Sequence, residues 1–486
     1  MMVILMVTSS CVVQESVITG SKRAYGYSWE QEVSIGNEVD KEIVAEFGIY
    51  EDNSLNEYIV NMSEEVLQNS HMRAEDTPAK YRETEFTFRI LDSPVINAFA
   101  LPGGFVYVTR GLMAHMNNEA QIAVVLGHEI GHVAARHASQ RGFQQTVGQL
   151  VVIGGAVLGQ ELLGLPGETI LNLSGQAAQL IFLSYSRSHE RESDQLGVEY
   201  AAKTGFAAEE GAAFFTSLKR ISDNSGQSLP NLLSTHPDPG ERELQIPIMA
   251  EEWREKGFTQ TVRNSEKYLD MIDGMIFGDN PRNGYEENST FYHPEMKFRF
   301  PIPNGWQMVN QPSQVILISP EKDAVMILRL DSESATARES VQQFLQNNEV
   351  ETSDQGSTTT NSGFPAYRAD FTVTDGDNQL GVHLYALEYE GNIFRFLNYT
   401  ELSKLDAYRS DFTTTTHAFD RLTDQRILNI KPVRLQVVRV ANNRTFRDLL
   451  PQSLPMNITP EELAIVNQVY LDDVIEAGSY IKIPVQ

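Results

Sequence analysis

The chain has one cysteine, Cys11, in 486 residues. A single cysteine excludes an internal disulfide and any zinc site built from cysteines. Basic charge is scarce: 38 Lys and Arg stand against 65 Asp and Glu, a formal net charge of −27. Nucleic-acid binding and adhesion to anionic lipid both need basic surface, so neither is expected. Long hydrophobic runs are also missing. No stretch reaches the ~18 apolar residues of a membrane-crossing helix. The nearest, residues 147–158, is interrupted by Gly148, Gln149, Gly154 and Gly155 and reads as a buried or lid segment. No repeat of about 34 residues with the tetratricopeptide pattern occurs. What remains is 41% hydrophobic and 21% charged, the composition of a folded globular chain. Its length predicts roughly two to four domains rather than one core.

Against that background one string stands out, His128-Glu129-Ile130-Gly131-His132, an H-E-x-x-H motif in an apolar helical pattern over residues 121–135. Four residues make ~400° of helical turn, so His128 and His132 lie on one face, one above the other. Two neutral imidazoles at that spacing can both reach a tetrahedral zinc at about 2.0–2.1 Å, with Glu129 beside the open coordination position. The helix has a start signal in Asn118, with Gln121 three residues on.

Upstream, Trp29–Phe47 and residues 55–67 have helical periodicity, and residues 86–91 read as a strand. The passage Asn97-Ala98-Phe99-Ala100-Leu101-Pro102-Gly103-Gly104 is turn-rich, and Phe105–Thr109 reads as another strand. If that strand lies at a sheet edge, its free N–H and C=O groups can pair with an extended peptide. Gly103, Gly104, Phe105 and Val106 are then the expected substrate-binding residues, the glycines letting a substrate backbone come close.

Downstream of a Gly-rich stretch (residues 154–175), Glu190 and Asp194 are again four apart and share a helix face. Glu190 is the best candidate in the chain for a further zinc ligand, a carboxylate from a separate helix. Asp194 suits the task of holding a ligand histidine's other N–H. Glu192 points about 200° away and is expected to take no part. Two prolines and a glycine over residues 234–242 predict a rigid turn that presents His236; taken alone, His236 is a surface histidine.

These motifs together resemble the HtpX- and BepA-type zinc metallopeptidases, a gluzincin family that includes the CAAX prenyl protease and the mitochondrial Oma-type proteases. The shared elements are Asn97-Ala98-Phe99-Ala100 with Gly103-Gly104, the H-E-I-G-H string, Ser186-Arg187 with Glu190 and Asp194, and Thr235-His236-Pro237. They cover residues 29–246. The resemblance implies a mostly helical peptidase domain with one zinc per chain, His128, His132 and Glu190 as ligands and Glu129 as general base. It also implies that His236 can approach the metal and restrain activity, and that Arg242 lines the site. Whether His236 restrains the enzyme or assists it stays open.

Beyond residue 280 the composition changes. Residues 280–289 read as a linker, and a run of strands with two helices follows, predicting an antiparallel α+β domain. It resembles PsbP/DcrB-type domains through its strand pattern, Phe300-Pro301 and Gly305-Trp306. The last segment reads strand, helix, helix, strand and resembles a LysM-type module, a class that binds peptidoglycan.

The expected whole is therefore a multidomain α+β protein: a leader at 1–11, a peptidase domain with a small sheet at 22–280, an α+β domain at 290–425 and a βααβ module at 432–486. Residues 2–7 are apolar, and Thr8-Ser9-Ser10 place small residues before Cys11. This resembles a lipoprotein signal, so a lipid on Cys11 is the one membrane contact expected, with a periplasmic location. The expected activity is zinc-dependent hydrolysis of unfolded or misassembled proteins, through water activated by the metal and deprotonated by Glu129. The competing expectation is a chaperone, scaffold or peptidoglycan-binding protein without turnover. Contact with peptidoglycan or envelope proteins would run through the C-terminal modules.

Overall fold

The computed structural model describes residues 12–141, 185–225, 235–236, 239–348, 350–352, 354–375, 378–455 and 458–486. Cys11 and the apolar run before it, and the segment 147–158, lie outside the described residues. The architecture is mixed α+β, a helical N-terminal region followed by a large antiparallel sheet. Among the described residues no helix is long and apolar enough to cross a membrane.

The N-terminal region opens with a hairpin, β1 (Val12–Glu15) paired with β2 (Lys22–Tyr25). Helix α1 (Trp29–Phe47) follows, started by a reciprocal Ser28–Gln31 capping box and ended at Gly48. Helix α2 (Asn53–Gln68) is capped by Asp52. A small sheet then forms from β3 (Thr87–Leu91), β4 (Ala98–Leu101) and β5 (Phe105–Thr109), in the order β3-β5-β4.

The expectation of an edge strand at Phe105–Thr109 is corrected by this order. β5 pairs in parallel with β3 and antiparallel with β4, so it is the middle strand. Its five residues are all buried. Val106 and Val108 join the main core, while Phe105 and Tyr107 pack with Val39 and Ile43 of α1. A strand with apolar residues on both faces is buried on both sides, which suits a centre position better than an edge. Gly103 and Gly104, both at positive φ, make the tight return from β4 to β5. A Cβ on Gly103 would stand 2.5 Å from Val33 Cα. That glycine serves the packing of α1.

Helix α3 (Glu119–Ala135) carries the H-E-x-x-H string and is buried along its whole length. It is packed by α4 (Arg187–Thr204), α5 (Gly211–Ser225) and, through α4 and α5, α6 (Pro239–Glu255). The turn expected over residues 234–242 is corrected at its end, because Pro239 and Gly240 already begin α6.

In the sheet region seven strands among the described residues lie antiparallel, in the order Gln355–Thr359, Pro365–Asp375, Asn378–Tyr389, Asn392–Glu401, Ala324–Asp331, Gln314–Ile318, Gln307–Gln311. Alternation along each strand splits the apolar residues between two cores. Ala337, Val341 and Leu345 of one helix cover one face. Phe412 of the helix Leu405–His417, with Phe291, Phe298 and Phe300 of a second small sheet, covers the other.

The C-terminal segment has the expected order of elements, Arg434–Arg439, Phe446–Leu449, Pro460–Val466 and Tyr480–Val485, its outer strands paired along their length. Its apolar residues do not form a separate core. Leu435, Val440, Phe446, Leu463, Val466 and Ile481 belong to the same cluster as the buried residues of α2 and α3.

Candidate metal centre

The centre is made where α3 and α4 cross, and glycine makes the crossing close. A Cβ on Gly127 would meet Gly197 O at 2.9 Å, and one on Gly197 would meet His128 N at 2.8 Å. With no side chain at either position, the two backbones touch and the short Glu190 and Asp194 side chains of α4 reach the histidines of α3. Asn118 starts α3 by accepting from Gln121 N at 2.9 Å, and Ser186 starts α4 by accepting from His189 N.

His128 Nε2 and His132 Nε2 lie 3.0 Å apart. Glu190 is 3.5 Å from the first and 3.4 Å from the second. His236 Nδ1 stands 3.0 Å from Glu190 Oε2 and 3.3 Å from His128 Nε2. One ligand-capable atom from each of these four residues falls within 4.8 Å of all the others, and all four are buried. The sequence left His236 on the surface unless the family resemblance held; the structure puts it in the cluster.

Asp194 and Arg242 brace this set. Asp194 Oδ1 is 2.8 Å from His128 Nδ1, and its other oxygen accepts from Arg242 Nε at 2.9 Å. Arg242 also donates to Glu190 and lies 5.1 Å from the centre of the Phe215 ring. It therefore grips the two carboxylates of α4 from behind. A cleft of about 570 Å³ opens on that side, lined by Glu190, Asp194 and Arg242 together with Leu244 and Met249.

The donor set fits a zinc ion. An ionised Asp194 only accepts, so His128 Nδ1 carries the proton and Nε2 keeps a lone pair. His132 Nδ1 likewise has a partner, in His137. Two lone pairs and a carboxylate then face one point, an arrangement that repels itself without a cation and matches the histidine and carboxylate ligands zinc takes.

Electrostatics separates the two central carboxylates. Burial pushes the pKa of Glu129 up, against His236 and His128. Burial would raise Glu190 too, but His236, His132 and Arg242 outweigh it and hold it well below the usual carboxylate range. Glu190 stays an anion fit for a ligand, while Glu129 is tuned toward taking a proton. Glu129 Oε2 is buried with no hydrogen-bond partner in the protein, and its Oε1 is 3.7 Å from His236 Nε2.

Two residues, Tyr185 and His137, escaped the sequence reading, and a third, Glu192, was set aside by it. The Tyr185 ring lies 4.0 Å from the His132 ring. His137 contacts His132, and Glu192 contacts His137 at 3.0 Å. Glu192 does point away from the metal-facing atoms, as expected, but it is not idle. Gly103 and Phe105 lie against α1, Gly104 faces the Phe86 ring and Val106 joins the main core, so none of the four is part of the cluster.

Residues 56–246 match the model of Peptidase family M48. The beta-barrel assembly-enhancing protease of Escherichia coli is 30% identical over 219 residues, 44% of this chain and 42% of that protein. The mitochondrial metalloendopeptidase OMA1 of Bos taurus is 32% identical over 167 residues, 33% of this chain and 31% of that protein. The chain thus spans less than half the length of the curated relatives it matches. A solution structure of the PsbP protein of a Synechocystis is 18% identical with a TM-score of 0.22, covering 28% of this chain and 91% of that one; the score carries no argument about fold.

Proposed function

We propose, from the match of residues 56–246 to the model of Peptidase family M48, that the chain is a zinc endopeptidase acting on proteins. The observation that carries the reading is the unpartnered Glu129 oxygen beside a set of converging imidazole lone pairs. A zinc ion held by His128, His132 and Glu190 supplies Lewis acidity toward water and the scissile carbonyl. Glu129, its affinity for protons raised by burial, accepts the proton of the attacking water and delivers it to the departing amine. Asp194 keeps His128 in the metal-binding tautomer, and Arg242 holds Asp194 and Glu190 in place.

His236 restrains the resting enzyme in this reading. Its contacts with Glu190 and His128 support a place among the ligands, where it would occupy the position the catalytic water needs. Substrate is held by β4 rather than β5. Among the described residues Ala98–Leu101 pairs on one side only, so its other edge can take an extended strand close to α3. Extended recognition of backbone selects unfolded or misassembled proteins, and beta-barrel assembly is the setting suggested by the name of the Escherichia coli relative. The Cys11 context adds a lipid anchor on the periplasmic side, and the C-terminal segment retains the order of a LysM-like module.

Casein digestion with and without a chelator tests the activity. Cleavage that stops on chelation and returns with zinc is expected. Casein left intact by a zinc-loaded chain would favour a binding role without turnover.

A further inference from the structure

The two ligand histidines of α3 are oriented from different parts of the molecule. His128 meets Asp194 directly. His132 Nδ1 lies 3.0 Å from His137 Nδ1, and His137 Nε2 lies 3.0 Å from Glu192 Oε2. Arg23, on strand β2 of the N-terminal hairpin, then grips both Glu192 oxygens, at 2.8 and 3.1 Å. None of these three residues takes part in the proton chemistry above.

We propose that His137, Glu192 and Arg23 form a hydrogen-bonded chain that positions His132 as a metal ligand, so that the N-terminal hairpin sets zinc affinity. The inference rests on the zinc reading of the cluster. It follows from which groups can donate. Arg23 only donates, and an ionised Glu192 only accepts. His137 must therefore present N–H at Nε2, and the neutral ring then has an acceptor at Nδ1. That acceptor requires N–H on His132 Nδ1, which leaves the lone pair on His132 Nε2, the atom that faces His128 and Glu190. One fixed charge at the hairpin settles every proton along the row.

The geometry around His137 suits this task. The side chain is fully buried, stacks on His189 at 4.3 Å and 18°, and has Ser193 Oγ at 3.3 Å from Nδ1. It reaches His132 because Arg136 ends α3 in the left-handed conformation, φ 58°, and turns the chain back. That conformation is unfavourable for a residue with a Cβ. The same N-terminal segment supports it. Arg136 donates to Gln14 and to Tyr27 O, pairs with Glu32, and lies 3.9 Å from the centre of the Tyr25 ring. One stretch, residues 12–32, thus holds both the turn that places His137 and the charge that orders its protons.

The rival is a plain fastener that secures the hairpin and leaves zinc indifferent. Chelator competition on the full chain separates them, read beside the thermal midpoint of the metal-free protein. His137→Ala should weaken zinc binding ~10–100-fold, the usual cost of losing a group that orients a ligand. Glu192→Ala and Arg23→Ala should weaken it less, in that order. His137→Asn, which keeps an acceptor near Nδ1, should recover most of the loss. A His137→Ala protein that melts earlier without metal yet binds zinc as the wild type does would overturn the proposal. If His137→Ala does not fold, Arg23→Ala decides, because Arg23 is partly exposed at the rim: a several-fold loss supports the chain of bonds, and unchanged affinity refutes it. Wild-type protein that binds no zinc would instead remove the zinc reading itself, and this inference with it.

Discussion

The two regions that follow helices α1–α6 in sequence relate to them in opposite ways. The sheet region keeps its apolar residues in two cores of its own. It meets the rest of the chain through polar contacts such as Ser313 with Glu46, Arg282 with Glu51 and Asn280 with Asp92. The C-terminal segment shares one core with α2 and α3. Its polar groups serve the loop that leads into α3: Lys482 donates to Ala114 O and Met116 O, and Gln468 donates to His115 O. The strands entering and leaving the sheet region also lie side by side, with Ile276 bridged to Arg434 and Phe277 N bonded to Val433 O. The sheet region is therefore an insertion, and the C-terminal segment is a late-arriving part of the core that carries the candidate metal centre. Distance along the chain says little here about independence in space.

Deleting residues 433–486 breaks this contrast most severely. It exposes the core beneath Leu463 and Ile481 and leaves the carbonyls before α3 without donors, so soluble, zinc-loaded protein should not be recovered. A milder cut is Leu463→Ala, which should lower the stability of the zinc-binding unit by about 2–5 kcal/mol, the range for a buried leucine, read by denaturant unfolding. Lys482→Met keeps the buried stem but removes both hydrogen bonds, and about 2 kcal/mol is expected from two unmet carbonyls. The smallest effect should come from the largest excision. Replacing residues 279–431 by a short Gly-Ser linker should leave zinc content and cleavage of a small peptide near wild type. Loss of zinc from that protein would show that the sheet region is not an insertion in the energetic sense.

What the sequence made legible follows from local period. His128 and His132 share a face because four residues are one helical turn, and Glu190 with Asp194 obey the same rule on α4. The start signal at Asn118 lies where α3 begins. Arg242 had no local signal, and for His236 the proline-rich turn marked a presented histidine but not a ligand; both were brought to the site only by the family resemblance. Strand β5 was misplaced because pairing partners are a tertiary matter, although five consecutive core-type residues already spoke for two-sided burial. Lys482 shows the same limit: between Ile481 and Ile483 it reads as the solvent face of a strand, yet it is buried against backbone carbonyls. Glu192 was set aside by correct geometry, but the test asked only about the metal and not about the ligand's far side.

The central claim is that Glu129 acts as the base beside a zinc held by His128, His132 and Glu190. Zinc content and casein cleavage, measured together on the wild type and on Glu129→Gln, test it most directly. The account predicts about one zinc per chain in both proteins and cleavage in the wild type alone. Cleavage by Glu129→Gln at the wild-type rate, or a wild type that cleaves with no metal bound, would contradict it.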